Sequence, residues 1–301
     1  MIYQKTLQRP VQVEGMGLHT GKSVSLTFKP APVNTGIYFI RKDISGLPAL
    51  RVQSRNVRAT QMATVIGSDL FAISTVEHCM SAIAALQIDN LYIELAGAEL
   101  PIGDGSANIF FRALKKVDII EQSELRHYFY VTQPIYFSQG DKYAYVLPYN
   151  GLRITSTIEF PHPCIGKQKI EIDINETSFE HELATARTFG FLKDVEALKK
   201  KGLALGGSLE NAVVLDEREV LNPEGLRFKD EFVRHKTMDA LGDLLMLGNP
   251  LMGHVVLHKA GHDMMHGFVQ KLLSSVESYR IIELAKPVSF ASGYSESYIN
   301  S

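Results

Sequence analysis

Cysteine, net charge and long apolar runs are all scarce in this chain, and each shortage excludes something. Two cysteines in 301 residues, Cys79 and Cys164, cannot build a disulfide scaffold and show no C-x-x-C spacing, so a reducing compartment, the cytoplasm, is expected. Thirty-one Lys and Arg against 33 Asp and Glu give a formal net charge of −2. That balance disfavours nucleic acid as a partner, since bulk charge would not attract a polyanion, but it leaves room for a local basic pocket. The longest stretch without Asp, Glu, Lys or Arg, Leu244 to His258, is interrupted by Asn249-Pro250, whereas a spanning helix needs about 20 apolar residues. No transmembrane segment is expected. Met1 to Val13 carries Lys5 and Arg9 without an apolar run of signal-peptide length, so no export signal is expected either.

What is present is a globular composition, 45% hydrophobic and 21% charged, at a length suited to two domains. Val11 to Glu14, Ser23 to Phe28, Ile37 to Ile40 and Ala49 to Val52 alternate like strands between Gly- and Pro-rich turns. Helical spacing starts near Ser74, where Ser74-x-x-Glu77 has the form of a capping box. A strand at Asn90 to Leu95, a turn holding Asp104 and a helix from Ser106 to about Lys116 follow. Charged residues cluster from Lys115 to Arg126 before a new β-rich stretch, which sets the expected domains at residues 1–125 and 126–301. The second half repeats the order of the first. His78 to Asp104 spans 26 residues and His235 to His262 spans 27, so the fold class expected is α+β, one unit used twice, with a site between the copies.

Several histidines sit beside carboxylates. On a helix, with about 100° per residue, Asp239, Asp243 and Lys236 fall within about 100° of His235, opposite an apolar face of Met238, Leu241, Leu244 and Leu245. His235 and Asp239, four residues apart, can bind one metal ion together or form a solvated His–Asp pair. Glu77-His78 supplies a third ligand and a carboxylate able to take a proton from water; equally, Glu77 can be a capping residue and His78 a surface imidazole. His262 stands at a strand-to-helix turn, and its pairing with His266 lacks the Glu of a zincin motif. Around Gly15 to Ser23 the sequence invites a phosphate-loop reading, but Met16 stands where a Walker A loop requires glycine. A Gly-rich turn is expected there instead.

The chain resembles the zinc-dependent UDP-3-O-acyl-N-acetylglucosamine deacetylases of lipid A biosynthesis. The resemblance runs through Gly17-Leu18-His19-Thr20-Gly21, Ser74-Thr75-Val76-Glu77-His78, Asp104-Gly105-Ser106-Ala107, Ala186-Arg187-Thr188-Phe189-Gly190-Phe191, Leu205-Gly206-Gly207-Ser208, Arg227 to Lys236, Asp239 to Leu244 and Lys259-Ala260-Gly261-His262. It implies two similar α+β domains, each a sheet with two main helices and a small insert, packed helix face to helix face as a sandwich. It also implies Zn2+ held by His78, His235 and Asp239, with Glu77 as general base. Thr188 would bond the oxyanion, and His262, positioned by Asp243, would stabilise it or protonate the leaving amine. For the substrate, the resemblance implies Lys236 and Lys259 on the diphosphate and Phe160 on the uracil. Phe189, Phe191 and Gly207 would also contact substrate, with an acyl passage in an insert at about 189–214. A monomer is expected. The other readings are a zinc amidase for a different N-acyl sugar and a non-catalytic nucleotide-sugar-binding paralogue. After His262 this chain has Asp263-Met264-Met265-His266, where relatives commonly show Ala-Leu-Asn-Asn, so Asp263 and His266 are expected to bear on the pKa of His262 or on the pH optimum.

Overall fold

In Ser23–Pro30, buried Val24, Leu26 and Phe28 alternate with Ser25, Thr27 and Lys29, which are less buried. This is the period-2 pattern of a strand with one face on a core. The computed structural model describes residues 1–284; the rest of the expected second domain, 285–301, lies outside the described residues. The strand belongs to a five-stranded sheet ordered Val11–Met16, Ser23–Pro30, Leu91–Ala96, Ile37–Arg41, Leu50–Arg51. Its central strand, Leu91–Ala96, runs antiparallel to Ser23–Pro30 and parallel to Ile37–Arg41. Within a second sheet of seven strands the same arrangement recurs as Ile135–Gln139, Lys142–Leu147, Leu251–His258, Leu152–Phe160, Gly166–Asp173. There the central Leu251–His258 is antiparallel to Lys142–Leu147 and parallel to Leu152–Phe160. Strand order and direction therefore agree between the halves, as a duplicated α+β unit requires.

Six helices are present among the described residues: α1 (Glu77–Ala85), α2 (Asn108–Lys115), the single turn α3 (Glu176–Ser178), α4 (Leu192–Lys200), α5 (Glu231–Leu244) and α6 (His262–Ser274). In the first half α2 packs on Val11–Met16 and on α1; in the second, α5 and α6 pack on the larger sheet and on each other. The layers meet where α1 packs on α5. Their backbones are in contact there: a Cβ on Gly242 would run into the carbonyl of Glu77, so only glycine permits the crossing. Among the described residues no helix is long and apolar enough to cross a membrane.

Two local expectations are corrected. Helix α1 begins at Glu77, not at Ser74, and it has no side-chain cap. Ser74 is instead held extended, its N–H on the Ala98 carbonyl at 3.0 Å and in a parallel bridge with Glu99. Pairing with a neighbouring segment outcompetes the capping box. The charged stretch before residue 126 contains a strand, Ile119–Leu125, antiparallel to Tyr3–Leu7. Much of it is exposed, so it lacks the alternation that marks a half-buried strand.

The insert of the second half is a small βαβ unit: Phe189–Phe191 and Val213–Leu215 pair in parallel, with α4 between them. No residue of α4 is buried, whereas Val213 and Leu215 lie in a small core with Phe232 and Val233, against which Phe189 and Phe191 pack.

Candidate active site

Crossing of α1 over α5 brings His78 to His235 and Asp239. Their ligating atoms all lie within 4.8 Å of one another, and all three residues are buried. Asp239 Oδ1 is 3.4 Å from His78 Nε2 and 3.3 Å from His235 Nε2. That oxygen has no hydrogen-bond partner, nor has His78 Nδ1. A buried carboxylate oxygen without a donor is costly, and a cation between the two imidazoles would satisfy it. Two imidazole nitrogens and a carboxylate suit a divalent transition metal. Apart from Arg234 and Lys236, the residues from Glu231 to Leu244 are buried, which removes the alternative of a solvated His–Asp pair.

The Nδ1 of His235 lies 3.1 Å from the Ala186 carbonyl. A carbonyl only accepts, so Nδ1 carries the proton and the Nε2 lone pair is left for an ion. Burial pushes the pKa of His235 down to about 3, with Asp239 opposing, so the ring is neutral. Burial would raise Asp239, but His235 and Lys236 outweigh it and hold the carboxyl well below the usual range. Lys236 Nζ is 3.0 Å from Asp239 Oδ2 and sits over the Phe189 ring at 5.7 Å.

Beside this group stand Glu77 and His262. The Glu77 carboxylate accepts from the Thr64 N–H at 3.0 Å. Burial raises its pKa, against the pull of His262 and His78. His262 Nε2 is 3.8 Å from Glu77 Oε1 and 3.9 Å from Asp239 Oδ2. On its far side, His262 Nδ1 donates to Asp243 Oδ2 at 2.8 Å, and the Thr64 hydroxyl donates to Asp243 Oδ1 at 2.5 Å. Burial would lower the His262 pKa, but Asp243 above all, then Glu77 and Asp239, raise it to about 9. Asp263 faces Thr60 at 3.4 Å, while His266 meets Gln270 at 3.0 Å.

Thr188 lies on the segment that carries Ala186. Its N–H donates to the Gly105 carbonyl at 2.7 Å, and its own carbonyl accepts from Val213 at 2.8 Å. Between them Arg187 is buried and forms a fork on Glu231, Nε to Oε1 at 2.9 Å and Nη2 to Oε2 at 3.2 Å. Both members are buried, so this charge-assisted pair fixes the backbone on either side of it. Arg187 and Glu231 appeared in the sequence blocks without a role; only their pairing across the fold gives them one.

Phe160, Phe189 and Phe191 form one partly buried aromatic cluster, with Phe160 edge-on to Phe189 at 5.6 Å and tilted to Phe191 at 6.2 Å. Lys259 has two carboxylates beside it. Its ammonium lies 2.8 Å from Glu159 and 3.1 Å from Asp141, and these carboxylates raise its pKa. A diphosphate there would have to replace two carboxylates. Gly207 is exposed in the turn beyond α4, near Leu205 and Leu209, which are 52% and 40% exposed.

The loop Gly17 to Gly21 explains its likeness to a phosphate loop. His19 and Thr20 point their N–H groups at the buried carboxylate of Glu99, at 2.7 and 2.8 Å. The loop is an anion nest whose anion is part of the protein. A Cβ at Gly17 would collide with that carboxylate.

A duplicated α+β fold with a His-His-Asp group able to hold a metal, beside a buried carboxylate at the junction of the copies, is the architecture of a hydrolase. The chain belongs to the UDP-3-O-acyl N-acetylglycosamine deacetylase family, which it matches over residues 4–274. Proteins named UDP-3-O-acyl-N-acetylglucosamine deacetylase are similar along almost their whole length. That of Bdellovibrio bacteriovorus is 59% identical over 289 residues, 96% of each chain. That of Syntrophotalea carbinolica is 45% identical over 292 residues, 97% of this chain and 94% of its own. That of Acidithiobacillus ferrooxidans is 44% identical over 296 residues, 97% of each.

Proposed function

We propose that this protein hydrolyses the N-acetyl amide of UDP-3-O-acyl-N-acetylglucosamine, releasing acetate in lipid A biosynthesis, as a zinc-dependent cytoplasmic monomer. The observation that carries this is the juxtaposition of Glu77 and His262, 3.8 Å apart, beside the buried group His78, His235 and Asp239.

Those three side chains would hold the ion. When bound, zinc supplies Lewis acidity that makes water a competent nucleophile near neutral pH. Glu77 takes the proton of the attacking water; burial raises its pKa and so its proton affinity. The His262 cation and the Thr188 hydroxyl stabilise the carbonyl oxygen as it becomes negative. As the C–N bond breaks, the departing amine takes a proton from His262 or from protonated Glu77. Lys236, half-buried beside Asp239, supports the diphosphate, and Phe160 offers a face for the uracil ring. The exposed Leu192, Leu205 and Leu209 of the insert would line the acyl passage.

The test is metal content and acetate release for the wild type and Glu77→Gln. The variant should keep its zinc and lose about 100-fold or more in kcat, the usual contribution of a positioned general base. Tight zinc with no acetate release by wild type on any acyl length would sink the reading, whereas full turnover by the variant would remove Glu77 as base.

A further inference from the structure

Thr75 has the least comfortable backbone near the site. Its φ is 59°, a left-handed conformation that a β-branched residue rarely enters and that marks stored strain. It stands two residues before Glu77, at the turn from which α1 starts. Its hydroxyl donates to Glu99 Oε1 at 3.2 Å. Glu99 is 2% exposed and also accepts from the N–H groups of His19 and Thr20 at 2.7 and 2.8 Å. The carbonyls of the same loop hold the insert: Leu205 N–H donates to His19 at 3.1 Å and Gly206 N–H to Leu18 at 3.0 Å. One buried carboxylate thus joins the backbone under the exposed leucines to the strained turn that sets the start of α1.

We propose that Glu99 is a positioning residue that couples occupancy of the acyl passage to the placement of Glu77 and His78. The inference rests on the deacetylase reading, which supplies the acyl chain. A chain settling against Leu205 moves the Leu205-Gly206 backbone, and with it His19 and Thr20. Glu99 follows the two N–H groups it accepts from and carries the Thr75 hydroxyl with it. Thr75 is where such coupling acts: its bond to Glu99 holds the left-handed turn, so a shift of Glu99 reaches the first turn of α1. Glu99 therefore confers preference for acylated substrate without touching the acyl chain.

The experiment compares kcat and KM on a long-chain 3-O-acyl substrate and on the unacylated UDP-N-acetylglucosamine, for wild type, Glu99→Gln, Thr75→Ala and Thr75→Ser. In Glu99→Gln and Thr75→Ala the preference for the acylated substrate should fall at least about fivefold, the lower end of ordinary coupling, and the loss should lie in kcat. Thr75→Ser, which keeps the hydroxyl, should retain the preference. An equal fall on both substrates, or none on either, overturns the proposal. A second readout does not need turnover: long-chain 3-O-acyl-UDP-glucosamine should slow amide hydrogen exchange at Glu77 to Met80 in wild type and not in Glu99→Gln. Absence of slowing in wild type, or identical slowing in both, also overturns it. If wild type releases no acetate from any sugar, the deacetylase reading fails, and the exchange measurement still decides the coupling.

Discussion

Asp243 determines the charge of His262. Burial alone would favour the neutral ring, yet the carboxylate 2.8 Å from Nδ1 is the main reason the pKa rises to about 9. The folded-state value lies above the ordinary 6.5, so this attraction stabilises the metal-free fold fully below about pH 6.5 and is lost as pH rises through about 9. In metal-free protein, an NMR titration of His262 should show a midpoint near 9. Asp243→Asn should lower it, because burial then acts without its main opponent. A midpoint that stays near 9 in the variant would show that Glu77 and Asp239 suffice. His235 is the contrasting case, neutral because burial dominates, with its pKa pushed down to about 3. Two histidines of one site are thus held in opposite charge states although both are buried: three carboxylates face His262, whereas the pull of Asp239 on His235 is opposed by His78 and Lys236.

At the scale of elements, the α1–α5 crossing does most to make a site. Both helices could be anticipated from periodicity and His235–Asp239 from spacing, since i, i+4 neighbours share a face whatever surrounds them. That His78 joins them follows from the backbone contact at Gly242, which no local pattern announces. Gly242→Ala should destabilise the fold by about 1–3 kcal/mol, the usual cost of overpacking, read as a lowered urea midpoint. It should also cut turnover far more than stability explains, because a 1 Å displacement of a catalytic group can cost about 100-fold. Wild-type stability in this variant would mean the crossing is looser than the contact implies. The capping box at Ser74 makes the opposite point. Its residues were plain to read, and the helix still starts three residues later, because bridging to Glu99 and the bond to Ala98 outweigh a cap worth about 1 kcal/mol.

For the whole molecule, the two copies divide the labour unequally. His78 and Glu77 come from the first, while His235, Asp239 and His262 come from the second, so a bound ion would tie the halves together. Any ligand that binds only the folded protein raises its stability with concentration. Thermal unfolding should therefore move upward on adding zinc and downward on chelation, and the shift should vanish in His235→Ala. A zinc-dependent shift that survives in His235→Ala would place the ion elsewhere.

The sequence by itself determined the duplicated α+β plan, because strand alternation and helical spacing are local, and it determined the residue types able to hold a metal and move a proton. It also excluded a phosphate loop at Gly17 to Gly21 by spacing, although not the reason. Tertiary structure alone decided that Glu99 fills that loop, that Arg187 forks onto Glu231 behind Ala186 and Thr188, that Thr64 shares Asp243 with His262, and that Lys259 is already paired. Each of these joins side chains far apart in the chain, and charge states depend on burial and on partners within a few ångströms. Only the packed fold sets those distances.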